Sequence, residues 1–376
     1  MSRLDYSTQL IEQDDIDGVI EVLKSPYLTQ GKKVAEFELA LCKYTKAKHA
    51  IAFNSATSAL FSSYSVACID AGDEIITSPI SFVSTSNMFV QLGAIPIWCD
   101  VKEDGNIDEE KIEQLITPKT KAIVPVHFAG KAVEIEKIHK LAKKHNLLVI
   151  EDASHALGSS ISDKKIGSLS DMTIFSFHAI KPITTSEGGA VLTDNDEHAK
   201  KLRLIRSHGI LKQELWHSDM LSLGYNFRMT EMAASLGITQ IKKLDRFVQS
   251  RDKIALYYDE RFKDAELFNI IKQKEKNITS HHLYPILLDP KIHSFKESIF
   301  KELQEGGLGV QVHYKPIYQN SFYKERFGNF SLTTADSFYK SEISIPCHQN
   351  MSLKEAKFVA DTIFEILTKY KEQKKS

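Results

Sequence analysis

One lysine, Lys181, sits in the stretch "FSFHAIKPITTSEGGA" between an apolar run and a Ser-Glu-Gly-Gly turn. Lysine normally stays solvated, because burying its charge is costly. A lysine that reacts with a carbonyl must instead be held still and partly dry, so that the amine is accessible. On position alone, a surface-loop lysine and a reactive one are equal readings. Upstream, Asp152 in "VIEDASHALGS" closes an apolar run and would point into a cleft, where an acid can hold a proton on a basic ring nitrogen. Capping the next turn is the commoner task for such a residue. His155 could lie near the same ring, although local hydrogen bonds satisfy most lone histidines. In "AFNSATSAL", Ser55, Ala56 and Thr57 open a helix after a β-rich run. Small residues, hydroxyls and free N–H groups at a helix start suit an anion; a plain N-cap is the bland alternative.

Four further residues belong to this set. Ser176 ends the run "MTIFSF", and Phe82 in "SPISFVSTSN" offers either an aromatic face or a core side chain. Asn226 and Arg228 in "GYNFRMTEMAA" precede a helix start at Thr230, and both also suit a turn. No GxGxxG and no Walker lysine is present, so dinucleotide and nucleoside-triphosphate folds lose support. The combination carries more than its parts. An anion cradle, an acid for a pyridinium nitrogen and a lysine for a covalent link are what pyridoxal 5′-phosphate (PLP) requires.

The elements that must position these residues are legible between residues 50 and 195. The runs "AIAF", "EIITS", "IPIWC", "KAIVPVHF", "LLVIED", "MTIFSF" and "GAVLT" alternate with helical patterns such as "EIEKIHKLAKKHN". This predicts an α/β large domain with a mostly parallel sheet covered on both faces, where ligands collect at the carboxyl ends of the strands. A long helical pattern runs from Met229 to Phe262. It is followed by "HLYPILL", a helix around "FKESIFKELQEGG", a strand "GVQVHY" and a last helix from Leu353. We expect a large domain over 1–245 and a smaller α+β C-terminal domain over 246–376. A chain of 376 residues is too long for one ordinary core.

Composition narrows the classes further. With 48 basic and 49 acidic residues, the net charge is −1, which disfavours electrostatic nucleic-acid binding. The four cysteines have no CxxC pair, which argues against a disulfide framework or a zinc site and suits a reducing compartment. No run reaches the roughly 18 apolar residues of a membrane span, and acids occupy the N-terminus where a signal peptide would be apolar. A cytoplasmic protein with no metal, membrane or nucleic-acid partner is expected.

The motifs "NSATSAL", "SFVSTSN", "EDASHALGS", "FSFHAIKPITTSEGGAV", "RSHG" and "GYNFRMTEMAA", in this order, resemble the DegT/DnrJ/EryC1/StrS sugar aminotransferases. The resemblance spans essentially the whole chain. It implies the type I aspartate-aminotransferase fold, PLP as cofactor, and a homodimer with shared sites. Lys181 would carry the covalent link, Asp152 would pair with the ring nitrogen, and Phe82 would stack on the ring. Ser55, Ala56, Thr57 and Ser176 would hold the phosphate, helped by Asn226 from a second subunit. His155 stands where many members have glutamine near the ring hydroxyl. Tyr6, Pro26, Tyr27, Leu28, Thr29, His313, Tyr314, Lys315 and Pro316 would surround a nucleotide sugar. Within the family, "SPYLTQGKKVAEFE", "FHAIKPITTSEGG" and "GVQVHYKPIY" are most similar to members of pseudaminic acid synthesis. These use L-glutamate to aminate carbon 4 of a UDP-linked 4-keto-6-deoxy sugar. Some relatives with histidine in place of the lysine are dehydratases, a class that Lys181 disfavours. A non-catalytic sugar-nucleotide binder on the same fold is the other alternative.

Overall fold

The computed structural model describes residues 3–212, 214, 216–272 and 276–372. All seven β-rich runs of the first half enter one sheet: β1 His49–Phe53, β2 Glu74–Thr77, β3 Ile95–Trp98, β4 Thr120–Val124, β5 Leu148–Asp152, β6 Met172–Ser176 and β7 Gly189–Thr193. Their spatial order is β1-β7-β6-β5-β4-β2-β3. Strand β7 runs antiparallel to both neighbours, and the remaining pairs are parallel. Pro96 lies on the edge strand β3, where a missing N–H does least harm.

Both sheet faces are covered, and the period of two along each strand divides the apolar residues between them. Ile51 and Phe53 join one core with Ala59, Tyr64 and Leu202, while Ala50 and Ala52 join another with Phe37, Leu41 and Ala234. On that second side, Ile76, Ile123 and Val149 pack with Ile138 of the helix Ile135–His145. Strands buried on both faces read as continuous apolar runs, which is why the sequence shows them so clearly. The ends of β1, β5 and β6 bring Asn54, Asp152 and Ser176 to the same side of the sheet.

The long pattern from Met229 to Phe262 breaks into two helices, Glu231–Ile241 and Leu244–Phe262. Beyond it, Phe268–Ile270, Tyr284–Leu288 and Glu342–Ile345 form an antiparallel sheet. The helices Lys296–Glu305 and Leu353–Glu372 pack with it around a core that includes Ile286, Ile299, Ile343 and Ile363. Ile317, Tyr318 and Tyr323 instead join the large-sheet core with Trp98, so the later chain contributes to both cores. The expected strand "GVQVHY" pairs only at Leu308–Gly309, with Leu4–Asp5, and at a bridge from Gln311 to Ser344. Past that point the His313 amide donates to the Glu342 Oε2 carboxylate oxygen at 2.6 Å rather than to a neighbouring strand. Among the described residues, no helix is long and apolar enough to cross a membrane, and no acidic, histidine or cysteine cluster could hold a metal ion.

Gly189 decides how closely β7 approaches the helix that follows β1. A Cβ there would lie 2.5 Å from the Ala56 nitrogen and 2.6 Å from its Cα, both backbone atoms. Gly189→Ala should therefore destabilise the protein by about 1–3 kcal/mol through overpacking. Urea unfolding of the two proteins measures this, and an unchanged midpoint would refute the constraint.

Candidate active site

A cavity of about 520 Å3 opens at the carboxyl ends of β1, β5 and β6, within the size range of small-molecule sites. Ser55, Ala56, Thr57, Phe82, Asp152, His155, Ser176, Lys181, Tyr6, His313 and Tyr314 all line it. Pro26, Tyr27, Leu28, Thr29 and Lys315 are exposed outside this wall, and Pro316 is buried beside it at the start of a 3-10 turn. Asn226 is also exposed and outside its own chain's cavity; its carbonyl lies 3.5 Å from Asn54 Nδ2.

The helix Ala56–Val66 begins at the cavity. Ser55 caps it, with Oγ accepting from the Ser58 amide at 3.1 Å. The Ala56 and Thr57 amides precede the first intrahelical bond, so they remain donors at the positive end of the helix. Thr57 Oγ1 and Ser84 Oγ lie 3.1 Å apart on the same rim. The N-cap and the anion cradle are thus one structure, made possible by the absence of a side chain at Gly189.

Asp152 is 5% exposed. Its Oδ2 accepts from Thr85 Oγ1 at 2.6 Å and its Oδ1 from the Ser154 amide at 3.1 Å. Phe82 is 59% exposed, which excludes a core-packing role and leaves its ring beside the opening, 6.3 Å from that of Tyr314.

Lys181 follows β6 by five residues, and its Nζ lies 3.3 Å from His282 Nε2. Burial pushes this ammonium down to about 7; Asp152 opposes the fall and the Arg251 guanidinium adds to it. Arg251 is fully buried, donating to the carbonyls of His281, His282 and Cys347, to Gln349 Oε1 and to Ser7 Oγ. Three imidazoles share the cavity. Burial, followed by the Lys181 charge, holds His155 and His282 well below the usual histidine range and His313 down to about 3. His155 Nε2 meets Tyr314 Oη at 3.1 Å, and His313 Nδ1 meets Ser344 Oγ at 2.8 Å. The Nδ1 atoms of His155 and His282 are buried with no protein partner. An amine, an acid, an anion cradle and unpartnered polar ring atoms around one cavity fit a phosphorylated pyridine aldehyde.

Known proteins agree with this donor set. The profile of the DegT/DnrJ/EryC1/StrS aminotransferase family matches residues 9–364. The chain belongs to that family. It is similar to the UDP-4-amino-4,6-dideoxy-N-acetyl-β-L-altrosamine transaminase of Campylobacter jejuni, 51% identical over 369 residues that cover 97% of this chain and 98% of the relative. The solved structure of Helicobacter pylori PseC, an aminotransferase of pseudaminic acid biosynthesis, superposes with a TM-score of 0.96. It is 46% identical and covers 97% of this chain and 99% of its own. The PLP form of a putative sugar aminotransferase from Streptococcus pneumoniae, 29% identical, gives 0.92 over 98% of this chain and 99% of its own.

The sequence reading of this aminotransferase left out Ser81, Thr85, Ser154, Glu187 and His282, which also line the cavity. Ser81 and Thr85 flank Phe82 in a hydroxyl-rich stretch after β2, a usable signal. His282 had none, since its place beside Lys181 depends on a chain reversal some hundred residues later. In cofactor-free protein, the rate of Lys181 acylation by limiting acetic anhydride should rise with pH through about 7. The neutral amine is the nucleophile, so ordinary lysines should rise only towards about 10.4. Peptide mass spectrometry across the pH series reads both, and a Lys181 midpoint near that of the surface lysines would contradict the burial argument.

Proposed function

We propose that this aminotransferase moves the amino group of L-glutamate to carbon 4 of a UDP-linked 4-keto-6-deoxy-N-acetyl hexose. The product is UDP-4-amino-4,6-dideoxy-N-acetyl-β-L-altrosamine, an intermediate of pseudaminic acid synthesis. The observation that carries the reaction class is Lys181: an amine lowered to about 7 that shares one cavity with the Asp152 carboxylate. The sugar rests on 51% identity, over 97% of the chain, to a transaminase named for that product.

Pyridoxal phosphate is the cofactor, and when bound it supplies an electrophilic aldehyde and an electron-withdrawing ring. The Ala56 and Thr57 amides with the Ser55, Thr57 and Ser176 hydroxyls hold the phosphate. Asp152 holds a proton at the ring nitrogen, and Phe82 covers a ring face. His155 stands at the ring edge. Lys181 Nζ carries the covalent link at rest. Free and uncharged, it takes the proton from the α-carbon of glutamate and later delivers one to carbon 4 of the sugar. Tyr6, His313 and Tyr314 border the sugar from the cavity wall. Pro26, Tyr27, Leu28, Thr29, Lys315 and Pro316 lie further out, towards the nucleotide.

The enzyme works in the cytoplasm as a homodimer. Asn226, exposed in its own chain, completes the phosphate site of the second subunit. Residues 1–245 carry the cofactor, and 246–376 close over it.

Incubation with UDP-2-acetamido-2,6-dideoxy-β-L-arabino-hexos-4-ulose and L-glutamate should give the 4-amino sugar with an axial nitrogen, identified by NMR. Recovery of unchanged ketone from yellow protein would reject the substrate. Recovery from colourless protein that takes up no PLP would favour a binding protein. Lys181→Ala should lose the covalent cofactor absorbance, and its turnover should fall by at least about 10³-fold. Mixed and refolded Lys181→Ala and Asn226→Ala chains should regain about a quarter of wild-type activity, because half the dimers hold one intact site. No regain would reject the shared site.

A further inference from the structure

The acid of the site is held by a neighbour that none of the family motifs assigns. Thr85 Oγ1 lies 2.6 Å from Asp152 Oδ2 and 2.7 Å from Ser81 Oγ. All three side chains are buried, Thr85 completely. A carboxylate only accepts, and a threonine has one hydroxyl proton. Thr85 therefore donates to Asp152, and Ser81 must donate to Thr85, so the order Ser81 to Thr85 to Asp152 has a single direction. The backbone of Thr85 is held as well, since its carbonyl accepts from the Tyr64 hydroxyl at 2.8 Å. Tyr64 belongs to the helix whose start forms the anion cradle. One residue thus joins the acid to the cradle, the two points that must match the ends of one cofactor ring.

We propose that Thr85 is the positioning residue of Asp152: its hydroxyl occupies Oδ2, fixes the carboxylate plane and stabilises the negative charge, so that the proton shared with the cofactor stays on the ring nitrogen. Oδ1 has a single, longer protein hydrogen bond, from the Ser154 amide, and so retains capacity for that proton. Without the Thr85 hydroxyl, Asp152 keeps its place in the sequence but becomes a stronger base with a freer side chain. It then draws the ring proton to itself, and the ring loses electron-withdrawing power. A hydrogen bond to a buried charge has a larger effect than one between neutral groups, so the loss should be measurable.

This inference rests on the aminotransferase reading, and the test separates the two. Wild type, Thr85→Val, Thr85→Ser and Ser81→Ala are loaded with PLP labelled with 15N at the ring. Wild type should show a protonated-ring 15N resonance and bleach with L-glutamate. Thr85→Val, which keeps the volume and removes the donor, should move the resonance towards the unprotonated value. Its bleaching rate at saturating glutamate should fall at least about tenfold, with half-saturation little changed. Thr85→Ser should restore both readings. Ser81→Ala, which weakens the donor from behind, should shift the resonance the same way by less, and it keeps the test valid should Thr85→Val not fold. Wild-type resonance and rate in Thr85→Val, or failure of Thr85→Ser to restore them, overturns the positioning role. With Thr85→Val unfolded, an unshifted Ser81→Ala resonance does the same. A wild-type protein that does not bleach overturns the aminotransferase reading itself.

Discussion

Water removed from around one amine shapes most of this protein. A lysine side chain in solution holds its proton far above neutral pH, and only desolvation or nearby positive charge brings that affinity within reach of pH 7. Lys181 has both, in the burial of its Nζ and in the buried Arg251 guanidinium, with Asp152 as the opposing charge. Were Asp152 in direct contact with the amine, the pair would lock as an ion pair and the amine would stay protonated. Among the described residues Lys181 has no carboxylate within salt-bridge distance, and its polar neighbour is the uncharged ring of His282. The separation of the two charges across a cavity is therefore the feature that makes the site reactive rather than structural.

Keeping those charges apart requires a rigid frame, and the seven-stranded sheet provides it. Asp152 and Ser176 end adjacent parallel strands, while Gly189 opens the antiparallel strand next to them. Because that glycine carries no Cβ, the helix start at Ala56 can approach and complete the anion cradle. Cover comes from the later chain, which supplies His282, His313 and Tyr314. His313 is held by Ser344 and, through its backbone, by Glu342. Arg251 ties the carbonyls of His281, His282 and Cys347 to Ser7 near the start of the chain. A guanidinium suits this task, since its five donors serve several carbonyl and hydroxyl acceptors at once.

Legibility followed the range of the interactions. The seven sheet strands were readable because a strand buried on both faces must be apolar along its length. Lys181, Asp152 and Ser55 were readable because each sits where a strand stops, a local mark. The helix over Met229–Phe262 was read too long, since its apolar period continues across the break at Lys242 and Lys243. "GVQVHY" looked like a strand by composition, yet past Gln311 its backbone turns to a side-chain carboxylate instead of a partner strand.

By itself, then, the sequence determined the α/β layering, the succession of strand ends and the residue types able to bind and activate a phosphorylated aldehyde. Only the tertiary structure decided that Lys181 is dry, that His282 and not a carboxylate lies beside it, and that a threonine hydroxyl occupies one oxygen of Asp152. It also decided that Phe82 stands at the opening rather than in the core, and that the exposed stretch from Pro26 to Thr29 lies outside its own chain's cavity. Patterns along a chain record which face of an element avoids water. The proton affinity of a buried group depends instead on charges and hydrogen-bond donors brought near it by distant segments, and no local pattern encodes those distances.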